Sequence, residues 1–158
     1  MTPHCIREAR ENDAEALAEI ILELGWFEWF DPGDEVGISE SISRKIAGIR
    51  SSPDHSLYVA EAGRGQTVGF GAVHWLPHLL LPGLDGYVTA LFIKKEYRGK
   101  GMGSALLDSI TKEARSRGCF RLTLINGRNS ESYRRRFYRG QGWIEREETA
   151  IFARFLRF

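Results

Sequence analysis

The sequence predicts a mixed α/β protein, a sheet with helices packed on both faces. The first half carries short β-branched and aromatic runs separated by glycine- and proline-containing turns. The second half alternates strand, helix, strand, helix, strand, the order that covers both faces of a sheet. Joining the halves, the stretch from Tyr87 to Arg117 reads as a buried strand feeding a glycine-rich turn that opens a helix.

Taken in order, Cys5 to Ala9 is a short strand candidate. Asn12 can cap a helix whose Leu17, Ile20, Ile21 and Leu24 form one apolar face, ended by Gly25. Trp26, Phe27, Trp29 and Phe30 then crowd a loop closed by Pro32 and Gly33. These rings either plug the core or wall a substrate site. A second helix carries Ile38, Ile42, Ile46 and Ile49 and stops before Pro53. Ser56 to Ala62 and Thr67 to Trp75 read as two strands joined by the turn Gly63-Arg64-Gly65-Gln66. Leu76 to Gly86, with Pro77 and Pro82, is a loop into the central strand, Val88 to Ile93. That run is almost wholly apolar, as a strand buried on both faces would be. Met102, Leu106, Ile110 and Ala114 stripe the following helix at four-residue spacing. Arg121 to Ile125 is the next strand. Asn129 or Ser130 caps a helix through Arg139, which Gly142 ends. Trp143 to Glu147 and Phe152 to Phe158 complete the sheet.

The turn between central strand and helix is an anion site by construction. The first N–H groups of a helix have no intrahelical partner, and the helix dipole puts partial positive charge there. Gly99, Gly101 and Gly103 remove the Cβ atoms that would hold a phosphate off the backbone, and Arg98 and Lys100 add fixed charge. A P-loop would need Ser or Thr after Lys100, where Gly101 stands. A dinucleotide fingerprint counted from Gly99 ends on Ser104 instead of glycine, and no acidic residue follows the next strand.

The stretch resembles the acetyl-CoA motif of the GNAT superfamily of N-acetyltransferases, Arg/Gln-x-x-Gly-x-Gly/Ala, here Arg98-x-x-Gly101-x-Gly103. Phe137-Tyr138-x-x-x-Gly142-Trp143 resembles the family's second motif. The resemblance implies a GNAT-type mixed, mostly antiparallel twisted sheet of about six to seven strands, with helices on both faces. It implies acetyl-CoA bound by Arg98, Gly99, Lys100, Gly101, Met102, Gly103 and Ser104, with the backbone of Leu91, Phe92 and Ile93 against the acetyl and pantetheine part. Tyr138 becomes the acid that protonates the departing thiolate, since a phenol is protonated at neutral pH. Relatives often bind the cofactor with an Asn about seven residues ahead of this Tyr; here Asn129 stands nine ahead and Asn126 twelve ahead, and which of them, if either, takes that role stays open. Relatives also place a Glu near the start of the central strand, where this chain has Tyr87. Asp85 acting through a water, Glu28 in the aromatic loop, His74 on the third strand, or no base at all remain open.

The acceptor implied is a primary amine of a small molecule, peptide or protein. The alternative is a non-catalytic GNAT-like module that contacts RNA or a protein through the arginine-rich helix Arg128 to Arg139. With 158 residues and a net charge of +1, a single domain over 1–158 is expected, with no global pull toward nucleic acid or membrane. No apolar run approaches spanning length, and Cys5 and Cys119 lack metal-ligand spacing, so no metal is expected. The cytoplasm is the default compartment, and a homodimer is compatible with this reading.

Overall fold

The computed structural model describes residues 4–25 and 35–156. The aromatic loop, Trp26 to Gly33, and with it Glu28, lies outside them. Two compact units divide the chain, 1–125 and 126–158.

The first unit is built on one sheet of strands β1 (His4–Glu8), β2 (His55–Ala62), β3 (Gln66–Leu76), β4 (Leu84–Ile93) and β5 (Cys119–Leu124), in that spatial order. The first three pairings are antiparallel and the β4–β5 pairing is parallel. The turn between β2 and β3 works because Gly63 and Gly65 take positive φ, 55° and 86°. Five strands among the described residues replace the six to seven expected. Residues 143–147 and 151–156 are not strands, and 151–156 are exposed throughout. Neither segment alternates apolar with polar residues, and apolar content alone does not make a strand. In the segment around Glu145 the side chains are instead taken up by local ion pairs described below.

Helices α1 (Ala14–Glu23) and α2 (Glu35–Ser51) pack on one face of the sheet, and α3 (Met102–Ser116) on the other. Leu17, Ala18, Ile20, Ile38, Ile42 and Ile46 bury against Val59 and Phe70. Met102 and Leu106 bury against Ala60, Ala62 and Val68 on the opposite side. Both helical stripes thus fall where their periodicity placed them. At Gly71 on β3 a Cβ would stand 3.2 Å from Ile110 Cδ1 and 3.3 Å from Leu91 Cδ1, so glycine there lets Ile110 of α3 approach β3. Asn12 does not cap α1. A 3-10 turn, Glu11–Asp13, precedes the helix, and Asp13 is drawn inward to Arg7 instead.

β4 begins at Leu84, four residues before the expected start, because parallel pairing with β5 carries the chain from Leu84 to Val88. It is not buried on both faces along its length: Val88 is buried, Thr89 exposed, and Ala90 to Ile93 half-buried.

The second unit holds two short helices, α4 (Glu131–Arg134) and α5 (Phe137–Gly140), where one helix from 129 to 139 was expected. Ser130 caps α4, its Oγ accepting from Tyr133 N–H at 3.2 Å. Arg136 breaks the run with φ 53°, a left-handed conformation that costs a non-glycine residue roughly 1–2 kcal/mol.

Candidate active site

β4 and β5 form a fork. Their ladder ends at the pair Val88 and Leu124, and β5 itself ends at Leu124, while β4 runs on to Ile93. Beyond the fork Lys94 N–H donates to Val68 C=O on β3 at 2.8 Å. Main-chain groups alternate sides along a strand, so Phe92 and Ala90 also turn toward β3, while Leu91 and Ile93 turn theirs to the β5 side. Arg98 confirms the direction, its Nε donating to the outward Ile93 carbonyl at 2.9 Å. Just inside the fork the register slips: Ala72 faces Ala90 and Val73 faces Val88, leaving Thr89 as a bulge on β4. Such a bulge increases the local right-handed twist of the strand.

Of the strand residues expected to face the cofactor, Leu91 and Ile93 therefore present N–H groups to the fork. Phe92 turns its main chain to β3 and its ring toward the α1–α2 core, 5.5 Å from Phe70 between ring centroids.

A single 3-10 turn, Lys95–Tyr97, leads from β4 to the glycine turn. Gly99 and Gly101 sit at φ 73° and 84°, conformations that suit only residues without a Cβ. Gly101 is the N-cap of α3, and the first intrahelical bond is Ala105 N–H to Gly101 C=O at 3.0 Å. The N–H groups of Met102, Gly103 and Ser104 are thus left without an intrahelical partner. Nothing lies within 4 Å of where a Gly101 Cβ would be, so the turn opens to space that an anion can enter. Arg98, Gly99, Lys100 and Gly101 are all exposed there. Lys100 Nζ rests 5.0 Å from the Tyr97 ring centre. The residues fit a pyrophosphate held by backbone N–H groups.

In the second unit the Phe137-to-Trp143 motif has a geometric explanation. α5 ends in a Schellman motif: Gly142 N–H donates to Arg139 C=O at 3.0 Å and Trp143 N–H to Tyr138 C=O at 3.0 Å. Gly142 occupies the left-handed position at φ 82°. Trp143 then packs edge-on to Tyr138, ring centroids 6.0 Å apart, and Phe137 does so from the other side at 5.0 Å. Tyr138 is half-buried between these rings, and burial pushes its phenol up to about 12. It therefore carries its proton at any physiological pH.

The arginines nearby are largely committed within this unit. Glu145 receives Arg128 at 3.3 Å, Arg139, and the Tyr133 hydroxyl at 3.0 Å, and the Arg139 bond holds its carboxyl below the usual range. Arg135 pairs with Glu131 at 3.3 Å, and Arg134 donates to the Asn129 carbonyl at 2.7 Å. Asn129 is exposed, whereas the Asn126 Oδ1 accepts from Ser130 and Ser132 at 2.9 and 3.0 Å.

Among the base candidates, Asp85 is buried and occupied: its Oδ2 takes two bonds from Arg121 at 2.7 and 3.0 Å, and its Oδ1 one from Thr123 at 3.2 Å. His74 is half-buried, its ring edge-on to His55 with centroids 4.2 Å apart. No sequence signal pointed to the bulge or to His55, because each is a product of strand register.

A free strand end beside a helix N-terminus with open backbone donors suits an acyl transferase whose acyl donor carries phosphate. The profile of the Acetyltransferase (GNAT) family matches residues 18–143. The chain belongs to that family and is an acyltransferase. It is similar to the thialysine N-epsilon-acetyltransferase of Bos taurus, 32% identical over 126 residues, covering 75% of this chain and 72% of that protein. It is also similar to the aminoglycoside N(6')-acetyltransferase type 1 of Stenotrophomonas maltophilia, 28% identical over 151 residues, 93% of this chain and 90% of that one. In fold it matches the crystal structure of a transcriptional regulator from Bacillus halodurans C-125 with a TM-score of 0.80 at 23% identity, over 97% of this chain and 100% of that one. Family members generally take the acetyl group from acetyl-CoA. No helix among the described residues is long and apolar enough to cross a membrane.

Proposed function

We propose that this protein moves an acetyl group from acetyl-CoA to a primary amine of a small molecule or peptide, and that small amines bearing further positive charge are its acceptors. The observation that carries the reading is the glycine turn opening α3 beside the free end of β4. Residues 98–104 bind the pyrophosphate through backbone N–H groups. The N–H groups of Leu91 and Ile93 hold the acyl carbonyl and stabilise negative charge on its oxygen during attack, a task preorganised donors perform without reorganising. Acetyl-CoA supplies the activated acyl group when bound. Tyr138 donates its proton to the departing thiolate, and Asn129 contacts the cofactor. The acceptor class is supported by the names of the two relatives, one acting on thialysine and one on an aminoglycoside. The cytoplasm, with Cys5 and Cys119 as free thiols, is the compartment that suits this chemistry.

A panel of thialysine, L-lysine, kanamycin and a short peptide with a free N-terminus, each offered with acetyl-CoA while free thiol is followed, tests the proposal. Thiol release that depends on at least one of these amines is expected. No amine-dependent release from the whole panel, by protein that also fails to bind CoA in calorimetry, would overturn it.

A further inference from the structure

The acceptor amine arrives as an ammonium ion and must lose a proton before it can attack. Ionisable side chains of neighbouring strands meet around the closed end of the fork, with Cys119 of β5 at its outer edge, paired with Leu84. Asp85 and Tyr87 stand on β4, His74 faces Tyr87 from β3, and His55 faces His74 from β2, in one register row that Thr123 of β5 extends. Arg121, one row away on β5, is the fixed cation of the group and holds Asp85. Side chains alternate along β3, and Trp75 is buried with its Nε1 donating to Ser56 Oγ at 3.0 Å and Arg117 5.1 Å from its ring. Arg117 follows α3, so Trp75 faces that side and His74 faces the other, away from the helix that carries the anion site. Tyr87 lies one residue inside the last rung of the β4–β5 ladder, and His74 is its direct cross-strand partner.

We infer that His74 is the group that takes the proton from the acceptor's ammonium nitrogen. This rests on the acetyl-transfer reading above. Asp85 is spent on Arg121 and Thr123, and Tyr87 is a phenol that donates at neutral pH. The His74 ring has no hydrogen-bond partner among the described residues. Burial, and after it the neighbouring His55, hold its imidazole below the ordinary histidine value, so it is neutral and basic in neutral solution. Leu91 and Tyr87 are four residues apart, about 13 Å at a rise of about 3.3 Å per residue, a span the acceptor amine and an intervening water fill. An N–H bond of the ammonium breaks, its proton passes to the free imidazole nitrogen, and the electron pair left on the amine attacks the acetyl carbon. The departing thiolate takes the proton of Tyr138, and the second proton that the amine loses on becoming an amide restores the phenol. His74 releases its own proton to solvent between turnovers.

The test is kcat/KM against pH for wild type, His74→Gln and His55→Gln, with whichever of thialysine, L-lysine, kanamycin and the peptide wild type acetylates. It is joined to an NMR titration of the His74 imidazole in the free protein, the resonance identified by its loss in His74→Gln. Wild type is expected to lose kcat/KM on the acid side at the pH where that resonance titrates, because kcat/KM reports the free enzyme. His74→Gln removes this limb and lowers kcat/KM at neutral pH by about 10²-fold or more. His55→Gln moves limb and resonance together to higher pH, since His55 is one cause of the depression; a structural pair would move the resonance alone. Wild-type kcat/KM with an unchanged acid limb in His74→Gln, or a limb that does not follow the resonance in His55→Gln, overturns the inference while leaving acetyl transfer intact. A wild type that acetylates no amine of the panel and binds no CoA in calorimetry overturns both.

Discussion

Tyr138 is held by its neighbours on both sides, with Phe137 and Trp143 edge-on and its own carbonyl taken by the Trp143 N–H. Tyr138→Phe preserves these contacts and removes only the hydroxyl. If that hydroxyl is the acid, turnover should fall by about 10²–10⁴-fold with CoA affinity nearly unchanged. Steady-state kinetics beside calorimetry separates the two effects, and turnover within twofold of wild type removes Tyr138 from the mechanism. Because burial lifts the phenol to about 12, its ionisation contributes no alkaline decline in the free enzyme below about pH 10. At the same scale, the arginines Arg134 and Arg135 have partners within their own unit. Replacing Arg134, Arg135 and Arg136 by Ala should leave amine acetylation unchanged, and no salt-dependent RNA binding should be there to lose.

At the scale of elements, two left-handed glycines do different work. Gly101 begins α3 with open space in front of its absent Cβ, so Gly101→Glu places bulk and negative charge where the pyrophosphate must lie. Calorimetry should show CoA binding abolished in a variant whose circular dichroism stays that of wild type; unchanged affinity would take the phosphates away from this turn. Gly142 ends α5, and its Schellman motif sets the Trp143 ring on Tyr138. Gly142→Ala imposes about 1–2 kcal/mol of left-handed strain on that cap. A lower urea midpoint together with reduced turnover is the expected result, because the cap that seats the tyrosine is loosened.

For the molecule as a whole, one buried ion network joins the first elements of the sheet unit. Asp13, 4% exposed, accepts two bonds from Arg7 at 2.8 Å, one from the Arg10 N–H at 2.7 Å and one from Thr67 at 3.1 Å. Arg7 also reaches Glu61 through Nε at 2.7 Å. β1, β2, β3 and the start of α1 are thereby tied at one point. These bonds hold the Asp13 carboxyl below its ordinary value despite burial, which acts the other way. A depressed carboxyl contributes stability that is fully present above about pH 4 and is lost as pH falls through the folded-state value. Asp13→Asn should therefore flatten the acid limb of a stability-against-pH curve. It should also cost about 2 kcal/mol at neutral pH, because it removes the charge-assisted bonds to Arg7, which keeps only Glu61. Urea unfolding at neutral and acidic pH measures both.

The helical stripes of α1, α2 and α3, the hairpin of β2 and β3, and the glycine turn at 98–103 were legible in the sequence because each is set by short-range rules. A 3.6-residue period marks a face, a glycine marks a positive φ, and a helix N-terminus exposes donors wherever it occurs. The second motif was legible for the same reason, its Gly142 and Trp143 being a local cap. Pairing was not, because strands are completed by partners distant in sequence. Parallel pairing with β5 set the start of β4, the end of their ladder at Val88 and Leu124 set the fork, and register alone brought His55, His74 and Tyr87 into one row. No strands form at 143–147 and 151–156; the first of these is drawn into the cap of α5 at Trp143 and into local ion pairs at Glu145, contacts that apolar content alone did not announce.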